Sequence, residues 1–220
     1  MGHSVHPYAH RIGILRDWRS RWFNTKQYTK FLKEDVTLRE WLMKKLRTQM
    51  ISGIEIERSR NTMQVIVRTP RPGLLIGRGG EGIERLKKDI HKKFAIKDLR
   101  ITIEEVRNPF GDAASVARLV AQDLEKRLPF RRTLKINIQK VMTSGAAKGI
   151  RIQVSGRLDG SEMGRVEWLR DGLIPLQTMR ADVEFARERA ILPYGTIGIK
   201  VWLYKGEVFA EDKKGHNKDK

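Results

Sequence analysis

Cysteine is absent from this 220-residue chain, which rules out disulfides and thiolate metal sites and fits a reducing, cytoplasmic setting. No apolar run approaches the ~20 residues that a membrane-spanning helix requires. Met1-Gly2-His3-Ser4 lacks the charged-then-apolar pattern of a secretory signal, so neither leader nor membrane partner is expected. Acidic residues are scarce beside basic ones, 26 against 45, which leaves a net charge of +19 and a pI near 10.4. A globular chain with that excess repels itself, and a polyanion is the economical partner. Apolar residues still make up 40% of the sequence, enough to build cores rather than a disordered basic tail.

The positive charge is blocked. Residues 126–151 hold eight Lys or Arg and no acid, residues 71–100 hold nine against four, and residues 1–30 hold six against one. Residues 159–188, by contrast, are close to balanced. A solvated surface mixes its signs, so the blocks read as phosphate-contacting surfaces.

Periodicity divides the chain. Residues 1–27 are basic, with His, Trp and Tyr interleaved and little pattern, and are expected to form an arm that stays loose until it lies on RNA. Residues 28–108 read helix, strand, strand, helix, helix, strand. Asp35 is placed as the N-cap of the first helix, bearing Leu38, Leu42, Met43 and Leu46. Ile54 and Ile56, then Met63, Val65 and Val67, alternate with polar residues across a turn at Ser59-Arg60-Asn61. A short turn at Leu74–Ile76 leads through a glycine-rich loop to a helix with Ile83, Leu86, Ile90 and Phe94, and then to a strand with Leu99, Ile101 and Ile103. Residues 109–209 read as two helices followed by about four strands. Asp112 caps the first helix, and the second runs from about Arg131 to Met142. Trp168 and Trp202 are taken as core residues. Residues 210–220 are a polar, unstructured tail. The fold class expected is α+β, in two successive domains.

Gly77-Arg78-Gly79-Gly80-Glu81-Gly82 satisfies the GxGxxG dinucleotide fingerprint letter for letter. Pro70 and Pro72 interrupt the strand that such a site needs, and no doubly wound alternation follows. A plain glycine hinge between two helices explains Gly77 and Gly80 but not their basic neighbours. Ile76 through Ile83 also reads as the IGxxGxxI signature of a KH domain, whose glycines let an RNA backbone approach while the next helix offers its N-terminal amides. The element order is that of the KH variant in which the extra helix and strand come first.

Further positions extend the resemblance beyond one module: Gly2, Val5, His6 and Pro7; Arg71-Pro72-Gly73; Phe130-Arg131-Arg132 with Lys135; and Ser155-Gly156-Arg157-Leu158. So do Glu167-Trp168, Arg180-Ala181-Asp182, and Tyr194-Gly195 followed by Ile197, Gly198 and Lys200-Val201-Trp202. Over about residues 1–209 the chain resembles the bacterial-type family of the third protein of the small ribosomal subunit. The resemblance implies a ribosome-bound protein that contacts small-subunit rRNA in the head and mRNA where it enters. It also implies ribosomal proteins ten and fourteen as neighbours; no self-assembly, cofactor or enzymatic activity is expected. Gly79 and Gly82 depart from the family pattern and leave fewer side chains to reach phosphate.

The candidate RNA-contacting residues are Gly77, Arg78, Gly79, Gly80 and Arg85 at the loop, and Arg131, Arg132 and Lys135 at the start of the second domain's second helix. To these are added His6, Arg11, Arg16, Arg19, Arg21, Lys148 and Arg157. The three cations at a helix start break a local rule, because the dipole there disfavours positive charge. The resemblance gives that patch a place lining the mRNA channel, where it assists unwinding without ATP; from the residues alone a solvated basic face stays open. His3, His6 and His10 lack an acidic co-ligand and a scaffold for metal. Residues 145–149 miss the phosphate-loop pattern. Trp18, Trp22 and Phe23 fit base stacking and packing equally.

Overall fold

A computed structural model describes residues 5–59, 62–94 and 98–209. His3, the turn residues Arg60 and Asn61, and the tail from residue 210 lie outside the described residues. The chain forms two compact units, one of residues 18–107 and one joining residues 5–17 to residues 108–209.

The first element is α1 (Pro7–His10), with proline at its first position, where no backbone donor is missed. The expectation of a loose arm fails here. Arg11, directly after α1, is 0% exposed. Its guanidinium donates to the carbonyls of Ala181 (2.6 Å), Pro7 (2.9 Å), Thr178 (2.9 Å) and Leu176 (3.0 Å), with a longer contact to Pro175 (3.4 Å). Arg16 pairs with Asp182 at 2.6 Å. Residues 5–17 are thereby fastened to the second unit. Residues 18–27 belong with the first.

In the first unit, β1 (Ser20–Arg21), α2 (Tyr28–Lys45), β2 (Gly53–Arg58), β3 (Met63–Thr69), α3 (Pro72–Ile76), α4 (Glu81–Phe94) and β4 (Leu99–Glu105) follow in order. The sheet runs β1-β2-β3-β4, with β2 and β3 antiparallel and both outer pairs parallel. Period-two alternation sends Ile54, Ile56, Val65 and Val67 to one face, where they meet Leu38, Leu42 and Leu46 of α2 and Leu86 and Ile90 of α4. Each fully buried Leu or Ile contributes roughly 1.5–3 kcal/mol.

Asp35 does not cap α2, which starts seven residues earlier. It lies mid-helix, 1% exposed, and accepts from Trp22 Nε1 (2.7 Å) and Arg58 Nε (2.8 Å). A buried carboxylate needs such partners. This pairing also settles Trp22 as a packing residue, with Phe31 edge-on at 5.6 Å.

The second unit continues with α5 (Ala113–Glu125), α6 (Phe130–Thr143), β5 (Gly149–Gly156), β6 (Arg165–Gly172), β7 (Ala181–Leu192) and β8 (Gly195–Glu207). Its antiparallel sheet has the order β6-β5-β8-β7. α5 lies along β7 and β8, and α6 along β5 and β6. Asp112 caps α5 as expected, accepting from the Ser115 amide at 2.7 Å. Val116, Val120, Leu124, Leu134, Ile138 and Val141 bury against Ile150, Ile152, Val154, Ile199, Val201 and Leu203. α5 and α6 cover one face of this sheet; on the other, α1 lies against β7, where Ala181, Val183 and Tyr204 are buried with Leu176 and Trp202 packed on them.

Trp168 corrects the reading of β6. It is 46% exposed, and Leu169 turns toward the core instead. A one-residue shift of strand parity moves every side chain to the other face.

Candidate nucleic-acid interface

The glycine loop is built by backbone requirements. Gly77, Gly79 and Gly80 have φ of +70°, +60° and +83°, a region that side chains disfavour. Gly82 answers a different need. A Cβ there would sit far inside contact distance of the Leu75 carbonyl oxygen and 2.9 Å from that of Ile76, so α3 and α4 cross too closely for any other residue. Its departure from the family pattern is thus a packing device of this chain.

Arg78 and Gly79 are exposed at the loop tip, and nothing lies within 4 Å of a Cβ added at Gly79. Glu81 and Glu84 occupy the first turn of α4. They complement the helix dipole but repel an approaching phosphate. Arg85 is held by Glu81 at 2.6 Å on the exposed surface, a pair worth only ~0–1 kcal/mol that phosphate can displace. The loop therefore offers close backbone approach and Arg78 more than a strong helix-terminus field. Replacing Arg78 and Gly79 together by Asp should weaken binding of single-stranded RNA roughly tenfold or more, through lost attraction and added repulsion. The fold should survive, because Asp tolerates the left-handed region. Filter binding at fixed salt with a melting curve checks both halves, and unchanged affinity would take the loop out of the interface.

The second cluster stands at the start of α6. Pro129 precedes the helix and gives no side-chain cap, and no acid lies in the first turn. Thr133, Leu134, Asn137 and Ile138 face inward, so Arg131, Arg132 and Lys135 project outward as the spacing predicts. Arg131 also contacts Glu167 of β6 (3.3 Å), which Arg165 reaches at 3.5 Å. The charge run concealed this acid because it arrives from a strand 36 residues on. Arg132 and Lys135 have no ion pair among the described residues. Arg165 joins the cluster through the same carboxylate, and no local pattern marked it.

The remaining candidates divide. Arg11 is interior, so it is withdrawn as an RNA contact; burial pushes its guanidinium below its ordinary value, with Asp182 opposing. Arg16 is paired as above, and Arg21 is paired with Glu55 (3.0 Å) and Glu57. His6 accepts from the Ala9 amide and sets its ring edge-on to Phe185 at 4.8 Å. Arg19 is exposed, and its backbone carbonyl accepts from the Ile56 amide. Arg157 is exposed and donates to Ser161 and Tyr194 carbonyls. Lys148 is exposed beside Gly149. Among the described residues no three His, Cys, Asp or Glu gather as metal ligands, and no helix is long and apolar enough to cross a membrane.

Sequence reasoning missed a third feature. Arg151 lies over the Trp168 ring at 4.6 Å and the Trp202 ring at 5.2 Å, on the sheet face opposite α5 and α6. Trp202, also assigned to the core, is half-buried on this face and packs against a small second cluster of Ala181, Val183 and Tyr204.

Comparison with known proteins adds two domain matches. A model of the KH domain matches residues 37–110, and one of the C-terminal domain of ribosomal protein S3 matches residues 120–203. The small ribosomal subunit protein uS3 of Desulforamulus reducens is 46% identical over 215 residues, covering 97% of this chain and 96% of that protein. Its counterpart in Methylococcus capsulatus is 45% identical over 210 residues, covering 95% and 93%. That of Caldicellulosiruptor bescii is 44% identical over 223 residues, covering 99% and 100%.

Proposed function

The chain belongs to the family of small ribosomal subunit protein uS3 and is a KH-domain, RNA-binding ribosomal protein; from that premise we propose that it holds rRNA in the head of the small subunit and grips mRNA where it enters. It acts there as a structural component in the cytoplasm, beside ribosomal proteins ten and fourteen, with no cofactor, no catalysed reaction and no self-assembly. The start of α6 carries the mRNA part of this reading. Arg131 and Arg132 stand in a first turn that has neither side-chain cap nor acid, with Lys135 one turn on, an arrangement costing a few tenths to ~1 kcal/mol for each first-turn cation. Phosphate of a passing strand offsets that cost. Fixed cations holding the entering strand bias the opening of a duplex ahead of it, without ATP.

Replacing Arg131, Arg132 and Lys135 by Ala tests this. The melting temperature should hold or rise slightly. The logarithmic salt dependence of single-stranded RNA binding should flatten by roughly 2, at ~0.7 per phosphate. Translation through a stable hairpin should slow, while unstructured mRNA is read at the usual rate. Arg131 alone should matter least, because Glu167 already engages it. A triple variant that unfolds would make these residues structural, and one that passes strong hairpins at normal speed would reduce the patch to a solvated face.

A further inference from the structure

The face of the second unit's sheet turned away from α5 and α6 carries rings and cations that the proposed mRNA grip does not use. Cross-strand register aligns Arg170, Arg151, Trp202 and Phe185 in one row across β6, β5, β8 and β7. The next row is Trp168, Gln153, Lys200 and Arg187. Arg151 lies between the two indoles, 4.6 Å from the Trp168 centroid and 5.2 Å from that of Trp202. Phe185 continues the series, 5.2 Å from Trp202 and tilted by 42°.

At its β7 end this face is covered, with Ala181, Val183 and Tyr204 buried against Leu176 and Trp202 and with His6 edge-on to Phe185; toward β6 it is open. Trp168 is 46% exposed, and a large ring left in solvent over a strand contributes little to folding. Arg151 makes a single long hydrogen bond, 3.5 Å to Gln153, and its Nε has no partner. A guanidinium so poorly satisfied is placed by stacking on the indoles. Arg170, Arg187 and Lys200 have no ion pair among the described residues, and the two rows contain no carboxylate. The acids of these strands lie at the other parity: Glu167 meets Arg131, and Glu188 meets Arg118 (2.8 Å).

We propose that the β6 side of this face is a second RNA site, which takes unpaired nucleotides by stacking a base on Trp168 while Arg170, Lys200 and Arg187 hold the phosphates. An exposed ring beside cations that have no ion pair, two of them lying over rings themselves, suits a splayed base on a polyanionic backbone. A duplex cannot use the rings, because its bases are already stacked. Sequence selectivity is low, since every base has a π-face. The site lies across the sheet from the start of α6, so the two surfaces are separable by mutation.

The test uses the full chain with a labelled ten-nucleotide single-stranded oligoadenylate and a blunt duplex of equal length. Trp168→Leu should weaken the single-stranded oligonucleotide about 5- to 30-fold, the loss of about one stacked base, while duplex affinity changes less than about twofold. Trp168→Phe should restore most of the loss. Arg170→Gln with Lys200→Gln, both outside the core, should flatten the salt slope by about 1 to 1.5 units and serves if Trp168→Leu fails to fold. The Arg131, Arg132 and Lys135 triple variant should keep its sensitivity to Trp168→Leu, so failure of either surface is read independently. Equal affinity of Trp168→Leu and the unaltered chain overturns the proposal. So does an equal loss for single strand and duplex, which marks a phosphate-only surface. Unchanged RNA affinity with failed incorporation into the small subunit also overturns it, and assigns the face to a protein neighbour.

Discussion

Replacing Arg11 by Ala should lower the melting temperature by about 6–12 °C, the equivalent of roughly 3 kcal/mol in a chain of this size. No acid is the main partner of this guanidinium. Its donors go to carbonyls at residues 7, 175, 176, 178 and 181, so one side chain fastens both the segment after α1 and the connection from β6 to β7. Alanine removes every donor at once and leaves covered carbonyls unpaired in a space that water does not readily fill. Lysine keeps the charge but cannot reach in several directions, so Arg11→Lys should fall between the two. Hydrogen exchange should show residues 173–180 opening first in the Ala variant. A change below about 2 °C would show the cage to be incidental and revive the reading of residues 5–17 as a loose arm.

Gly82→Val should be comparably damaging for a different reason. Its first side-chain carbon would press into the backbone carbonyls of Leu75 and Ile76, neither of which has a flexible end to move aside. α3 and α4 must separate, at a cost of about 3 kcal/mol or more, and the loop between them loses its shape. Single-stranded RNA affinity should drop together with the stability of residues 18–107. Gly79→Ala is the control. It meets open space and carries only the left-handed backbone penalty, ~1–2 kcal/mol. Wild-type stability and binding in Gly82→Val would mean that the two helices are not held in close approach.

These two residues also mark where the sequence was readable and where it was not. The glycine loop, the element order around it and the outward set on α6 follow from local patterns: glycines where φ is positive, alternation at period two, apolar residues at helical spacing. Asp112 announced its cap because its partner is three residues away. Asp35 misled, since a carboxylate ahead of an apolar periodic run looks like a cap, whereas its partners Trp22 and Arg58 lie 13 and 23 residues off. Arg11 was harder still. Its acceptors are backbone carbonyls up to 170 residues away, and a carbonyl leaves no trace in residue type. Trp168 and Trp202 were given to the core because rings on strands usually go there; Trp202 does pack on a small cluster of Ala181, Val183 and Tyr204, whereas Trp168 is left exposed. On β6 and β8 the covered side belongs to Leu169, Val201 and Leu203, and parity alone does not say which face the helices cover. Charge runs had the converse limit. The block around Arg131 is free of acid only along the chain, and Glu167 enters it in space.

Membership of the small subunit is the claim on which the rest depends, and sedimentation tests it most directly. The tagged chain, produced at its natural level, should run through a sucrose gradient with small subunits and whole ribosomes, stay there after a high-salt wash, and leave almost nothing at the top. A chain found mainly as free protein while the subunits remain intact would contradict the account and mark an RNA-binding KH protein that works apart from the ribosome.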